Sequence, residues 1–207
     1  MGKNGQPRIP IVDRNGELTG DYRNREEVHT LKSDYITPQA HILLVSPEGK
    51  IGVQTRAESK KYLGGKVIPL SGGGHLTDKD ILKVGETLIK RKPLLEIDYV
   101  GGVARELEEE LRVSIEPREV NEFRRLRGFY DLTEHAGYPF KAHFRTFWTL
   151  YSEEERGKID NWNSLEVEDF YWLTPKEIED KGIHKNLYHP YAESLLKEIN
   201  KVSKRVK

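Results

Sequence analysis

The sequence predicts an α/β domain in which a mixed sheet lies between helices, and three observations carry that prediction. Strand-turn-strand patterns occupy residues 9–53, and an amphipathic helical pattern follows at 98–113. An alternating strand at 141–151 and a second amphipathic helix at 189–207 come after it. A chain of 207 residues suits one domain, 1–207, with extensions.

Taken in order, residues 1–8 are polar and read as a loose end. Residues 9–22 form a small hairpin turning at Asn15-Gly16, the body of an N-terminal extension over 1–35. Pro38 reads as a break, after which strands at 41–45 and 51–53 flank the turn 46–50. The run Ser71-Gly72-Gly73-Gly74-His75 would let backbone N–H groups approach a phosphate. An extra segment, helix or hairpin, is expected within 76–97, where Ile81, Leu82, Val84, Leu88 and Ile89 recur. Asp98 can cap the helix that follows, and Pro117 bars its continuation. Strands are expected at 123–131 and 141–151, joined by a turn at 135–139. In the second, Ala142, Phe144, Thr146, Trp148 and Leu150 share one face, and His143, Arg145, Phe147 and Thr149 the other. The last helix should turn Tyr191, Leu195, Leu196 and Ile199 inward.

Composition excludes several classes. Lys+Arg and Asp+Glu number 34 each, so no global field calls for nucleic acid or an anionic membrane. No apolar run reaches the ~18 residues of a membrane span, and no signal-peptide pattern opens the chain. The absence of cysteine removes disulfides, thiolate zinc sites and cysteine nucleophiles, and suits a cytoplasmic protein. Oligomeric state, a homodimer among the options, is left open.

The chemistry concentrates in the helix at 98–113. Val100, Val103, Ala104, Leu107 and Leu111 fall on one arc, and Glu106, Glu109 and Glu110 share the adjoining one. Like charges at this spacing repel by a few tenths of a kcal/mol per pair. A divalent cation reverses the sign, and hard oxygen ligands converging from one side suit Mg²⁺, with Mn²⁺ as a substitute.

The order Arg105-Glu106-Leu107-Glu108-Glu109-Glu110-Leu111-Arg112-Val113 resembles the Nudix box, G-x5-E-x7-R-E-U-x-E-E-x-G-U with U aliphatic. Arg112 stands where the box has its second Gly. The stretches 12–29 and 49–75 are similar to the opening of the isopentenyl-diphosphate-isomerase-like branch of that superfamily, and 170–180 is similar to its C-terminal Trp-Pro signature. The resemblance implies a Nudix-type α/β/α sandwich with an insertion in the box loop. It implies a Mg²⁺-dependent hydrolase that cleaves a diphosphate linkage in a nucleoside diphosphate joined to another moiety, or in a similar small molecule. It assigns Glu106, Glu109 and Glu110 to the metal and Arg105 to orienting the box. Arg56, Lys60, Gly73, Gly74 and His75 fall to the substrate, and Glu166 or Glu168 is a further acid. The box's remaining Glu is not at its place: Ile97 stands there, with Glu96 and Glu86 as nearby options. Two other readings follow from the departures. One is a degenerate domain that binds a nucleotide as a regulator. The other, an isomerase, is opposed by the missing cysteine and by Thr37 where a second His is expected.

Overall fold

The computed structural model describes residues 7–29, 34–86, 93–133 and 141–206. The turn expected at 135–139 lies outside them, as does most of the loose end. The N-terminal hairpin pairs β1 (Ile9–Val12) with β2 (Leu18–Arg23). At its turn Asp13 Oδ1 accepts from the Asn15 and Glu17 amides at 2.8 and 2.9 Å, while Gly16 takes φ +86°. A one-turn helix, α1 (Arg25–Val28), follows.

The sheet is organised on β3 (Ile36–Val45), which runs parallel to β11 (Lys141–Leu150) over its whole length. Along its other edge β3 meets β1, then β6 (Gly72–His75), then β4 (Ile51–Arg56), all antiparallel. β4 carries β5 (Val67–Ile68) and β12 (Val167–Leu173), while β9 (Asn121–Glu122) and β10 (Gly128–Asp131) extend β11. The sheet is therefore mixed and mostly antiparallel.

Two sequence expectations are corrected here. Pro38 lies inside β3 rather than before it. Its carbonyl accepts from the Leu76 amide at 3.0 Å. In a strand the N and O of one residue point to one edge, so the missing N–H faces the β6 side and the ladder to β11 is undisturbed. The stretch 123–131 is broken by a 3₁₀ turn, Arg124–Leu126, because Leu126 turns fully inward under β11 while Arg124 and Arg125 face water.

Helices cover both faces. Ala40, Ile42 and Leu44 of β3 and Phe147 of β11 pack on Val103, Leu107 and Leu111 of α2 (Tyr99–Leu111). Leu43 and Val45, with Ala142, Phe144 and Trp148, pack on Tyr191, Leu195, Leu196 and Ile199 of α5 (His189–Arg205). The period-two alternation of the strands and the apolar arcs of the helices are thus spent on two separate cores. A short helix, α3 (Glu153–Arg156), precedes β12, and α4 (Pro175–Asp180) follows it behind a capping box of Thr174 and Glu177. The extra segment is a hairpin of its own, β7 (Ile81–Glu86) with β8 (Pro93–Ile97). No helix among the described residues is long and apolar enough to cross a membrane.

Candidate active site

The site begins with the placement of α2. Asp98 caps it, its Oδ1 accepting from the Gly101 amide at 2.8 Å, and burial of Val103, Leu107 and Leu111 fixes its rotation. Glu106 and Glu110 are thereby turned toward β6. The glycines of β6 leave room on both sides of the strand. A Cβ on Gly74 would lie 3.0 Å from Glu106 Oε2, and one on Gly72 would lie 3.5 Å from Glu110 Oε2. Gly73 has φ +143°, and its Cβ would lie 2.4 Å from the Ala40 carbonyl oxygen, so no side chain fits.

Arg105 gathers the acids. Its guanidinium forks onto Asp80, with Nε to Oδ1 at 3.2 Å and Nη2 to Oδ2 at 2.9 Å, and its Nη1 lies 2.9 Å from Glu106 Oε1 and 3.2 Å from Glu109 Oε2. Glu109 is exposed, whereas Glu110 is only 4% exposed and accepts from Gln54 Nε2 at 3.3 Å. Burial, chiefly, pushes the Glu106 carboxyl up to about 7 and the Glu110 carboxyl up to about 8. Arg105 draws the Glu106 value down in part, and Glu106 drives the Glu110 value further up. Burial works against the charge of Arg105, but Asp80, Glu106 and Glu109 outweigh it and raise its pKa.

Asp80 is the acid that sequence reasoning missed. It stands six positions after Gly74, the G-x5-E spacing of the box with Asp in place of Glu. Its carbonyl accepts from the Asp98 amide at 2.8 Å, so the chain leaves at 80 and returns at 98. Ahead of Arg105 the box needs seven residues, and 98–104, starting with Asp98, supply them. The interrupting segment is 81–97, which contains β7 and β8. Glu96 is exposed on β8 opposite Leu82, and Ile97 pairs with Ile81, so neither meets Arg105. The Glu86 side chain lies outside the described residues. The available signal was Asp80 at fixed distance from Gly74, obscured by a search for Glu counted backwards from Arg105.

Two adjoining cavities share the β6 edge. An outer cleft is lined by Glu106, Glu109, Glu110, Arg105, Arg112 and Glu166, with Asn163 and Lys79 on its rim. An inner cavity lies toward α5, among Gln54, Leu63, Phe144 and Tyr191. Gly73, Gly74, His75, Arg25 and Arg56 line both. Arg25, in the short helix after the hairpin, lies in the 12–29 stretch that carries the family resemblance, but no role was assigned to it there. Lys60 lines neither cavity and instead ion-pairs with Glu166. Glu168 is exposed where the β12 register slips and lines neither.

The inner cavity holds three imidazoles. Burial pushes His41 down to about 3 and His29 down to about 4, and holds His75 well below the ordinary histidine value, so all three are neutral near pH 7. His41 Nδ1 lies 2.9 Å from Tyr191 Oη, which lies 3.0 Å from Thr146 Oγ1. Among the described residues, two other than glycine have positive φ: Leu63 at +56° beside the inner cavity and Arg112 at +57° in the outer cleft. Each costs about 1 kcal/mol. Arg112 ends α2 where the box has Gly, its amide donating to the Leu107 carbonyl.

The donor chemistry of the outer cleft fits a divalent cation. Glu106 and Glu110 are carboxylates buried together, and positive charge beside them would restore the ionised forms that burial suppresses. As they stand, no three His, Asp or Glu side chains among the described residues are arranged to hold an ion, because Arg105 bridges Glu106 and Glu109.

Solved structures supply the comparison. A Nudix hydrolase of Alicyclobacillus acidocaldarius superposes over 81% of this chain and 92% of its own, at 12% identity and TM-score 0.53. The fold is the Nudix fold. The protein DR0079 of Deinococcus radiodurans superposes over 84% of this chain and 87% of its own, at 16% identity and TM-score 0.55. No family model matches the sequence, and no curated protein matches it. The helix whose sequence resembles the Nudix box is α2, and the 81–97 segment interrupts the chain ahead of its cap.

Proposed function

We propose that the chain is a Mg²⁺-dependent pyrophosphohydrolase that cleaves the diphosphate linkage of a small molecule, a nucleoside diphosphate joined to another moiety or a similar compound. One observation carries the reading: Glu106 and Glu110 converge under the glycine strand beside Arg105, whose guanidinium is held by Asp80. Glu106, Glu109 and Glu110 would hold the metal, with Mn²⁺ able to replace Mg²⁺. When bound there, the ion would supply Lewis acidity toward a phosphoryl oxygen and toward the attacking water. Arg105 keeps the carboxylates at one place, and Asp80 keeps Arg105 there. Arg25 and Arg56, on the shared wall of the two cavities, would take the phosphate oxygens. Arg56 is steadied by its Nε–H donating to the Tyr62 carbonyl at 3.2 Å. Gly73, Gly74 and His75 leave room for the diphosphate along the same edge. Glu166, steadied by Lys60, is the further acid on the wall and a candidate to take a proton from water.

The test is a screen of diphosphate compounds with Mg²⁺ and Mn²⁺, read by released phosphate, on the wild type and on Glu109→Gln and Glu110→Gln. Hydrolysis should fall on the order of 100-fold or more in the variants. Unchanged rates in both would sink the assignment. Diphosphate binding without any release of phosphate would favour a regulatory domain, and conversion of isopentenyl diphosphate to its isomer would favour the isomerase.

A further inference from the structure

We infer that the inner cavity seats the non-phosphate part of the substrate, that this part is uncharged and largely apolar, and that Leu63 decides which such groups are accepted. The inference rests on the diphosphate reading of the neighbouring cleft. Among the described residues, Arg25 and Arg56 are the only charged groups on the cavity wall, and both stand where it joins the outer cleft. A diphosphate held there would send its ester substituent inward, past Gly73 and His75.

The wall it would meet is neutral. Ile68, Leu70, Leu132, Leu187 and Phe144 give it hydrocarbon, and no acid or lysine among the described residues lines it. Much of its polar surface is already spent. His41, Tyr191 and Thr146 satisfy one another, and Gln39 Nε2 lies 3.3 Å from His75 Nε2. Gln54 keeps one polar atom in reserve. Its Nε2 donates to Glu110, but its Oε1 is buried and has no hydrogen-bond partner among the described residues. That oxygen offers one acceptor, which suits a hydroxyl on the substituent and repels a carboxylate.

Leu63 is placed by the loop that follows β4. The Gly65 amide donates to the Arg56 carbonyl at 2.9 Å and the Lys66 amide to the Leu63 carbonyl at 3.0 Å, which closes the loop around a leucine in left-handed backbone. Gly64 and Gly65 follow it directly, so glycine is the residue this turn uses elsewhere. A leucine kept at such a position is kept for its side chain, and that side chain lines the cavity beside Ile68 and Leu70. Packing against the core alone would account for stability but not for selectivity.

The experiment separates these. Methylenediphosphonate, which is not hydrolysed, its 5-hydroxypentyl monoester and its 4-carboxybutyl monoester are titrated calorimetrically into the Mg²⁺-loaded wild type, Leu63→Gly and Leu63→Asn. The wild type should bind the hydroxypentyl ester at least tenfold more tightly than methylenediphosphonate, and the carboxybutyl ester no more tightly. Both variants should lose most of that preference while binding methylenediphosphonate as before. Equal binding of the three ligands by the wild type, or variants that weaken all three alike, would overturn the inference and leave the diphosphate reading intact. Failure of methylenediphosphonate itself to bind would overturn both. If Leu63→Gly fails to fold, Leu63→Asn, whose residue tolerates left-handed backbone, decides alone.

Discussion

The outer cleft and the inner cavity share five residues of wall yet handle charge in opposite ways. At the cleft, Glu106, Glu109 and Asp80 crowd around one guanidinium, and burial lifts the Glu106 and Glu110 carboxyls toward neutrality. In the cavity, burial strips protons from three imidazoles, and no acid among the described residues lines it. The same cause, desolvation, yields an electrically frustrated region on one side of β6 and a quiet one on the other. Frustration of that kind is useful where a cation and a phosphate are to be received, and neutrality where an uncharged group is to be sorted.

Variants can break this contrast. The largest effect beyond the direct ligand substitutions is expected for Asp80→Ala. It should lower hydrolysis roughly 10–100-fold by releasing Arg105, and lower stability by about 2 kcal/mol, discounted for the partial exposure of Arg105. Asp80→Glu, which restores the residue of the box, should recover much of the rate. Equal activity in Asp80→Ala would show that Arg105 is held without it.

Next comes pH. The folded pKa values of Glu106 and Glu110, about 7 and about 8, lie above their ordinary value of 4.5, so the folded state binds more protons between these limits. Metal-free protein should therefore lose stability as pH rises from about 5 to 8, by an amount on the order of a few kcal/mol. Saturating Mg²⁺ should reverse the slope, because ligands bind it deprotonated. Chemical denaturation across that range, with and without EDTA, measures both slopes, and a metal-free slope of zero would remove the frustration from the cleft. In the same assay Glu110→Gln should raise metal-free stability above pH 7 by ~1–2 kcal/mol while abolishing the response to Mg²⁺. A lower metal-free Tm would mean that Glu110 is structurally satisfied.

The smallest effect is expected at Arg112. Arg112→Gly puts the box's own residue into left-handed backbone and should stabilise the fold by up to about 1 kcal/mol. Thermal unfolding checks it, and a destabilised variant would mean that the Arg112 side chain contributes more than its strain costs.

Much of this layout was legible in the sequence because it depends on periodicity. The arcs of α2 and α5 and the alternation of β11 specify which residues meet which core, and the sorting of Ala142, Phe144 and Trp148 from Phe147 follows from them. Glu106, Glu109 and Glu110 were legible because a helix fixes their mutual position. What was not legible depends on long-range closure. Asp80 reaches Arg105 only because residues 80 and 98 are hydrogen-bonded, a contact that distance along the chain conceals. Arg25 reaches the shared wall only because β1 pairs with β3 and brings the N-terminal hairpin alongside. Pro38 misled because its effect depends on which edge its nitrogen faces. Lys60, read as a phosphate ligand, is turned aside by Glu166, a partner more than a hundred residues away.

The junction at Asp80 and Asp98 has a practical side. Because both strands of the 81–97 segment depart from one hydrogen-bonded pair, the segment is a splice point whose contents the helix cap hardly senses. A reporter peptide or a small folded module grafted there would ride next to the cleft while Asp98 and α2 keep their footing. Its signal would then register events at the carboxylates without any label being attached to them.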